Sequence, residues 1–581
     1  MSRPKVQPKH SSPTRTALLP FAGVLIATLL TFASTFTFGW VYDDPPQIPQ
    51  NPNLQWSRLG FLFTHQLWAS TAVMQARFYR PLLTLWFLIN KTLFGLNPHW
   101  FHVTTVLAHV AATGLAFLVA RSLLKDAGAA LLAAAIFALH PLQVESASWI
   151  SAVNDPLAAV FCFASFLMGR RARMNPHNAP SWLALAGVLF LLALFTKEVS
   201  VVLPGIILVD LWVESRSEAR SSSSGHFPVA AFSAFTFVAL LWLALRSWVL
   251  GNAPGDSAAS SALVPGSTIL LSAPKILFFN LYRVLIPRGL SPQYDVRLIE
   301  FPGVQFFLTL LALLALAWIA IAAARRDPRL WVALAWLILP ILPTLNLTWM
   351  NEDDFVHDRY MYMSMLGVAL LAPHAYNWVR RKWPEQQLVR PLAACLLVIL
   401  AFASAIQSQY WANDVILFSR AVSRAPENEW AQLNYGSALS SRGKYADAAP
   451  HFVRSYELKP GWRAADFAGF AYQQSGDLLQ AEQWFNAALQ FNPALANAWF
   501  GVAQIRLAQN LPEQAIPYLK KALDLDPTAD GFHYEMGTAL ERLSRPSAAV
   551  EEYKTELELH PYQTGARKAL DRLQAASQTG K

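Results

Sequence analysis

Two adjacent carboxylates, Asp43 and Asp44, follow the first long apolar run of the chain, roughly residues 17–38. Acidic groups at the mouth of a membrane helix are costly, and those found there usually have a function. A carboxylate can take the proton of an attacking hydroxyl group, as a general base does in group transfer. The pair is therefore our candidate catalytic centre. The alternative is that it only caps a helix.

Further polar residues stand at the ends of other apolar runs. They are Arg80, His140, Glu145, Asp155, Lys197, Glu198, Asp358, Arg359 and Tyr360. Three of them, Lys197, Arg359 and Arg80, are cations that can hold a phosphate and stabilise the charge developing as it leaves. We expect the others to support the same site. The set as a whole favours group transfer from an anionic, lipid-linked donor.

Some of these residues have a simpler, structural interpretation, in which neighbours pair only with each other. The pairs in question are Lys197 with Glu198, Asp358 with Arg359, and His140 with Glu145. What favours a site is that all the clusters are expected on one face of the membrane.

Motifs for phosphate or zinc binding are absent from the sequence. It has no phosphate-cradling glycine loop, no HExxH motif and no cysteine cluster. A divalent cation held by Asp43, Asp44, His140 and Glu145 stays open as an alternative. We assign no metal ligand and no certain cofactor.

The composition indicates a membrane protein. Hydrophobic residues make up 54% of the chain and charged residues 14%, and apolar runs near 20 residues recur through its first two thirds. This predicts an all-α, polytopic helical fold, because helices satisfy their own backbone hydrogen bonds in lipid. The net charge of +9 falls mainly in short loops between apolar runs. That pattern reports membrane orientation and does not indicate nucleic-acid binding.

Alternation of these basic loops predicts about eleven spans, with the N-terminus in the cytoplasm as an uncleaved anchor. The predicted spans are 17–38, 100–121, 127–139, 155–169, 182–196, 199–213, 227–249, 304–324, 331–347, 361–379 and 389–407. Residues 40–100 form a long first outer loop with in-plane helices at 54–70 and 80–94. The stretch 265–290 is predicted to be re-entrant or interfacial. Residues 1–410 are thus one transmembrane domain.

Residues 411–581 have a different character, with a repeat period of 33–34 residues. Small residues, aromatic or leucine residues, and prolines recur at fixed phases. The phases are Gly436, Gly469, Ala503 and Gly537; Ala448, Ala481, Ala515 and Ala549; Phe452, Phe485, Leu519 and Tyr553; and Pro460, Pro493, Pro527 and Pro561. Small residues let two helices of a hairpin approach, and proline ends the second helix. The pattern predicts a tetratricopeptide α-solenoid on the non-cytoplasmic side, which binds a protein or serves as a spacer.

Several of these motifs occur together in a known family. An Asp-Asp pair after the first span, Tyr79 to Leu82 (Tyr-Arg-Pro-Leu), His140 to Glu145 and the late Asp358 to Tyr360 resemble type C glycosyltransferases. With the repeats behind them, nearly the whole chain resembles the transmembrane and tetratricopeptide-repeat O-mannosyltransferases, in a bacterial-type version.

The resemblance implies an inverting transfer of a sugar, mannose, from a polyprenyl-phosphate donor to a serine or threonine hydroxyl of an exported protein. It implies Asp43 as the base with Asp44 assisting, or the reverse order. The expected location is the bacterial inner membrane, where the repeats recruit the acceptor or a partner protein in the periplasm or outside the cell. Two alternatives are transfer to a lipid or glycan and a non-catalytic scaffold that assembles envelope proteins.

Overall fold

The computed structural model describes residues 15–69, 78–216, 227–251, 264–347, 355–382 and 387–579. The chain divides into two compact units, Met1–Leu417 and Phe418–Lys581, which we call the membrane unit and the repeat unit. Most of the described residues are helical, and no strand occurs among them. The predicted all-α class is therefore confirmed.

The membrane unit contains sixteen complete α-helices and a seventeenth, α17, that begins in it. They are α1 Arg15–Phe32, α2 Asp44–Gln47, α3 Leu59–Thr64, α4 Pro81–Phe94, α5 Pro98–Leu124, α6 Ala127–Leu139, α7 Val144–Ser148, α8 Asn154–Met174, α9 Ala179–Thr196, α10 Leu203–Ser215, α11 Phe227–Gly251, α12 Gly266–Leu285, α13 Val304–Arg326, α14 Leu330–Ile338, α15 Met365–Lys382, α16 Val389–Ser408 and α17 Asp414–Arg424.

Eight helices of the described ranges are long and apolar enough to cross a membrane, and a ninth arises if the bent pair Ala127–Leu139 and Pro141–Ser148 counts as one span. The eight are Leu18–Thr37, Pro98–Leu124, Ile150–Met174, Pro176–Thr196, Ala231–Gly251, Gly266–Leu285, Val304–Arg326 and Val389–Trp411. This is fewer than the predicted eleven. The predicted spans 199–213, 331–347 and 361–379 are not among them, because they form helices that are shorter or more polar.

Two forms were predicted for the stretch 265–290, re-entrant and interfacial. Helix α12 is one continuous helix of 20 residues, so the re-entrant form is wrong, whereas the interfacial form stays a prediction. The charged residue Arg283 of this helix is paired inside the unit with Asp358. By contrast, α4 has only 14 residues, which is short of the roughly 20 that a spanning helix needs.

Small residues let the central helices of the membrane unit pack closely. Helix α6 carries a run of buried alanines against α5, and the cluster extends to α8, α9, α14 and α15. Gly367 of α15 shows the tightest approach, because a Cβ there would lie 2.3 Å from the backbone nitrogen of Leu337. This core holds the ends of several helices in fixed positions around one cavity.

The repeat unit is built of helical hairpins. After α17, its helices are α18 Glu429–Ser440, α19 Tyr445–Leu458, α20 Trp462–Ser475, α21 Leu478–Phe491, α22 Ala496–Ala508, α23 Pro512–Leu525, α24 Phe532–Arg542, α25 Pro546–Leu559 and α26 Thr564–Thr579. The ring of Phe485 packs against Gly469 of its own hairpin and Gly501 of the next, where a Cβ would lie 2.7 and 2.5 Å from it. The recurring small and aromatic residues thus join neighbouring hairpins into a solenoid.

Candidate functional site

The acidic pair lies in a tight turn between the first span and the short helix α2. The N–H of Asp44 donates to the carbonyl of Val41 at 3.0 Å, and Tyr42 has a φ of +56°. This left-handed conformation is unfavourable for a tyrosine and persists only where other contacts hold it. The turn gives the two neighbouring carboxylates, Asp43 and Asp44, different surroundings.

Asp44 is fully buried and anchors the turn. Its Oδ1 accepts the N–H of Ser151 at 2.8 Å and the hydroxyl of Ser151 at 2.6 Å, while Oδ2 accepts the N–H of Val41 at 3.0 Å. Burial raises the pKa of Asp44 to about 7, although these donors act in the opposite direction. A pKa near neutrality would suit a base, but the hydrogen bonds occupy both oxygens, so geometry favours a structural role for Asp44.

Asp43 lines an open cavity in the membrane unit. The other ionisable side chains of its lining are Arg80, Asp155, Lys197, Glu198, Arg246 and Arg359. Tyr360 and Trp149 add aromatic rings to the wall. Most of the residues predicted from the sequence therefore meet in one place, whereas Asp44, His140, Glu145 and Asp358 lie behind the wall.

Lys197 and Glu198 pair with residues of other elements rather than with each other. Lys197 follows helix α9, and its Nζ donates to Asp155 in the first turn of α8. Glu198 Oε2 lies 2.9 Å from Nη2 of Arg80. Burial lowers the pKa of Lys197, while the Asp155 carboxylate raises it. The alternative of a self-contained Lys197–Glu198 pair is wrong.

Asp358 and Arg359 also separate. Arg359 donates from Nη1 to Oε1 of Glu145 at 2.9 Å and from its backbone N–H to Oε2 at 3.2 Å. Asp358 is buried beside Arg283 and accepts the Tyr294 hydroxyl at 2.7 Å. Burial raises the pKa of Asp358, and Arg283 lowers it. Two ion pairs between distant elements are thus present, and the alternative of a local Asp358–Arg359 pair is wrong.

His140 does not bond to Glu145, so the structural alternative for these two residues is wrong. Nε2 of His140 lies 3.0 Å from the carbonyl of Val284, and its Nδ1 accepts the N–H of Leu142 at 3.2 Å. His140 therefore fixes the break between α6 and α7 instead of belonging to the cavity.

The alternative of a divalent ion gains no support, since Asp44, His140 and Glu145 bond to three separate partners. One group of three potential ligands occurs in the part of the chain that the structure describes, namely Asp530, Glu556 and His560 of the repeat unit. There Glu556 accepts the N–H groups of Gly531 and Tyr534, at 2.9 and 3.1 Å. Hydrogen bonding at a helix start accounts for that cluster.

Arg246 is a lining residue that sequence reasoning missed. It lies in α11, an otherwise apolar candidate span, and is 9% exposed. A single arginine within an apolar run of this length was a readable signal, because such residues face a bundle interior or a cavity. Arg283 of α12 carried the same signal and was missed in the same way.

The charges of the lining are unequal. Four of the side chains that line the cavity within the described ranges are cations and three are anions, with Glu145 buried behind Arg359. Because Glu145 is the ion-pair partner of Arg359, the charged groups number four of each sign, and cations exceed anions only on the cavity surface, beside the carboxylate of Asp43. Such a wall can bind an anionic group and offer a base to a hydroxyl group next to it.

Known proteins share both parts of this architecture. The Tetratricopeptide repeat family model matches residues 468–530 and 503–564. Over 573 aligned residues the chain is 24% identical to protein O-mannosyl-transferase TMTC3 of Mus musculus, covering 90% of this chain and 62% of that protein.

Two further relatives are protein O-mannosyl-transferase TMTC1 of Homo sapiens and TMTC4 of Mus musculus. The identities are 25% and 26%, with 75% of this chain covered in both cases. The chain spans 55% and 66% of their respective lengths. The resemblance to transmembrane and tetratricopeptide-repeat O-mannosyltransferases is thereby confirmed.

Proposed function

We propose that this protein is an integral membrane glycosyltransferase that moves mannose from a polyprenyl-phosphate-linked donor to a hydroxyl group. The acceptor is the serine or threonine side chain of an exported protein. One observation carries the proposal, namely that Asp43 shares a cavity wall with Arg80, Arg246 and Arg359. A base and cations for an anionic donor are thus side by side. The similarity to proteins named protein O-mannosyl-transferases supports the same reaction.

Asp43 is the proposed base. Its carboxylate takes the proton of the acceptor hydroxyl while the hydroxyl oxygen bonds to the anomeric carbon of the sugar. The bond from this carbon to the phosphate oxygen breaks on the opposite face, and its electron pair goes to the phosphate. Attack from the face opposite the leaving group inverts the configuration. Asp44 assists by holding the turn through Ser151.

The arginines of the wall are the better candidates for the donor phosphate. Arg80 and Arg359 each have an acidic partner, but a guanidinium has five N–H donors and can bind a phosphate as well. Arg246 extends this set. Lys197 donates to the buried Asp155, so its remaining N–H groups stabilise the charge of the leaving phosphate.

The supporting residues act through these cations. Glu145 orients Arg359 with two hydrogen bonds, and Asp155 orients Lys197. Asp358 and His140 fix neighbouring elements. Each is a positioning residue in this proposal, while Tyr360 contributes its ring to the wall.

The proposed location is the bacterial inner membrane, with the N-terminus in the cytoplasm and the cavity and repeat unit on the outer side. This location requires an odd number of spans, as in the count of nine in which the bent pair Ala127–Leu139 and Pro141–Ser148 is one span. Basic residues in short loops, which are retained in the cytoplasm, support it. The tetratricopeptide repeats recruit the acceptor protein or a partner, as solenoids of this type generally bind proteins.

The test is transfer in vitro. Purified protein is incubated with radiolabelled polyprenyl-phosphate mannose and an extract of secreted host proteins, with and without EDTA. Asp43→Asn is compared with Asp126→Asn, in which the changed carboxylate caps α6 through the N–H of Ala129. We expect label on protein with the wild type and the Asp126 variant, and none with the Asp43 variant.

The other outcomes separate the alternatives. Label on lipid or glycan alone would replace the protein acceptor, and loss of transfer in EDTA would establish a divalent cation. Normal transfer by Asp43→Asn would rule out Asp43 as the catalytic base. Failure to bind any polyprenyl-phosphate sugar would favour the scaffold.

A further inference from the structure

The segment that follows the last candidate span returns to the turn that carries Asp43. This span ends at Trp411, and helix α17 begins three residues later at Asp414. Oδ1 of Asp414 accepts the backbone N–H of Tyr42 at 2.7 Å, across 372 positions of sequence. Both residues belong to the membrane unit. The hydrogen bond therefore links the proposed catalytic turn to the entry of the repeats.

Helix α17 does not require this contact to cap its N-terminus. The side chain of Asn413 accepts the N–H of Ile416 at 3.1 Å, which is the ordinary capping bond at a helix start. The carboxylate of the next residue, Asp414, extends to Tyr42 instead. A neighbouring residue thus caps the helix, and Asp414 serves the turn.

Tyr42 needs such support because of its backbone. Residues with a Cβ rarely adopt its φ of +56°, and the conformation persists only where surrounding contacts stabilise it. Tyr42 immediately precedes Asp43, so any relaxation of this residue moves the carboxylate of Asp43. The conformation of residue 42 therefore decides where the proposed base lies.

Aromatic rings provide the second support. The ring of Tyr42 stacks on Trp149 with centroids 5.2 Å apart, and Trp149 stacks on Trp411 at 5.5 Å. The guanidinium of Arg359 lies 4.8 Å from the centroid of Trp149. One tryptophan thus contacts the catalytic turn, the segment before α17 and a proposed phosphate ligand.

We propose that Asp414, aided by Trp411, is a positioning residue that holds the Tyr42–Asp43 turn in its reactive geometry. This inference rests on the proposed function, because it assigns the catalytic base to Asp43. It adds that the base is held in place by the segment that leads into the repeats. Loss of the hydrogen bond between Asp414 and the Tyr42 N–H lowers the rate of the chemical step. Donor binding stays intact, since the cations of the wall lie on other elements.

The experiment compares full-length Asp414→Ala, Asp414→Asn and Asp477→Ala with the wild type. Asp477 is the matched control, because it also accepts a backbone N–H, that of Gln480 at 3.1 Å, but within the repeat unit. Two quantities are measured: kcat and KM for polyprenyl-phosphate mannose, and the hydrogen-exchange rate of the Tyr42 amide.

Asp414→Ala is expected to lower kcat by about 10- to 100-fold, the scale of a displacement of about 1 Å, with donor KM within about threefold of wild type. The Tyr42 amide should exchange about tenfold faster or more, because its acceptor is gone. Asp414→Asn keeps an oxygen that accepts the N–H and should retain most of the activity. Asp477→Ala should match the wild type in both measurements.

The inference is overturned if Asp414→Ala leaves kcat and amide exchange unchanged, or if Asp477→Ala lowers kcat equally. If the alanine variant does not fold, Asp414→Glu replaces it, since it keeps the charge but displaces the acceptor by one methylene. A wild-type kcat in that variant overturns the inference. Absence of transfer by the wild type overturns the proposed function and this inference together, whereas transfer that is insensitive to Asp414 overturns this inference alone.

Discussion

Helix α8 has a cluster of buried charges at each of its two ends, and the clusters differ in kind. At its first turn, Asp155 pairs with Lys197 on the wall of the cavity. At its last turn, roughly 25 Å away along the helix axis, a second cluster forms with α10. The second cluster consists of Arg170, Arg173, Asp210 and Glu214.

The second cluster is internally balanced. Asp210 contacts both arginines, and Glu214 lies 3.2 Å from Arg170 and 3.0 Å from Arg173. Two positive charges thus meet two negative charges. The charges at the cavity also balance once Glu145 is counted, but four cations and three anions of the described residues line open space that a ligand can enter. Buried charge alone does not mark a site, whereas charge that lines a cavity can bind a ligand.

The largest expected effect is that of Asp43→Asn, which removes the base. We expect kcat to fall by about 10³-fold, within the range typical of general-base removal. The measurement is the initial rate of mannose transfer at saturating donor. Asp210→Asn, the same change at the other end of α8, should leave kcat of the folded protein unaltered. Equal losses of kcat in both variants would show that the two clusters do not differ in their importance for catalysis.

Arg246→Gln should raise the KM for the donor by about tenfold, because a charge-assisted contact with the phosphate is lost. The measurement is the dependence of transfer rate on donor concentration. Arg171→Gln is the control, since Arg171 is exposed on α8 and stacks on Trp182. An unchanged donor KM in the Arg246 variant would show that the phosphate binds elsewhere on the wall.

Asp210→Asn should lower stability by about 3–5 kcal/mol, because the buried Arg173 and the half-buried Arg170 then share one acidic partner. The measurement is the unfolding temperature in detergent, followed by tryptophan fluorescence. We expect a fall of several degrees with normal kcat for the folded fraction. A loss of kcat without a change in unfolding temperature would assign this cluster to the site.

The smallest expected effect is a pH dependence from Asp44. Its folded-state pKa of about 7 is raised above the ordinary value of 3.8, so the folded state keeps a proton that the unfolded state has lost between these values. This contribution to stability is present in full below about pH 4 and is lost as pH rises through about 7. We expect the unfolding temperature of wild type relative to Asp44→Asn to fall by a few degrees across this window. A constant difference would contradict the raised pKa.

The repeats were predictable because their determinants are local. The phases of glycine, alanine and proline each specify one contact within a hairpin or between neighbouring hairpins, as Gly469 and Phe485 show. The Asp43–Asp44 pair was equally visible as a polar break after an apolar run.

The pairing within the cavity could not be predicted, because it depends on how distant helices pack. Lys197 pairs with Asp155, 42 positions away in the sequence, and Arg359 pairs with Glu145, 214 positions away. Sequence proximity suggested other partners. Nor could the sequence distinguish Asp43 from Asp44, because the left-handed backbone of Tyr42 decides which carboxylate faces the cavity.

The arginines of the cavity wall have a consequence for turnover under the proposed reaction. The donor is a phosphodiester with one negative charge, but the polyprenyl phosphate left after transfer is a monoester that approaches two at neutral pH. The same arginines therefore hold the product more tightly than the substrate. We expect competitive product inhibition, so that clearance of the spent lipid carrier, rather than sugar transfer, limits steady-state turnover.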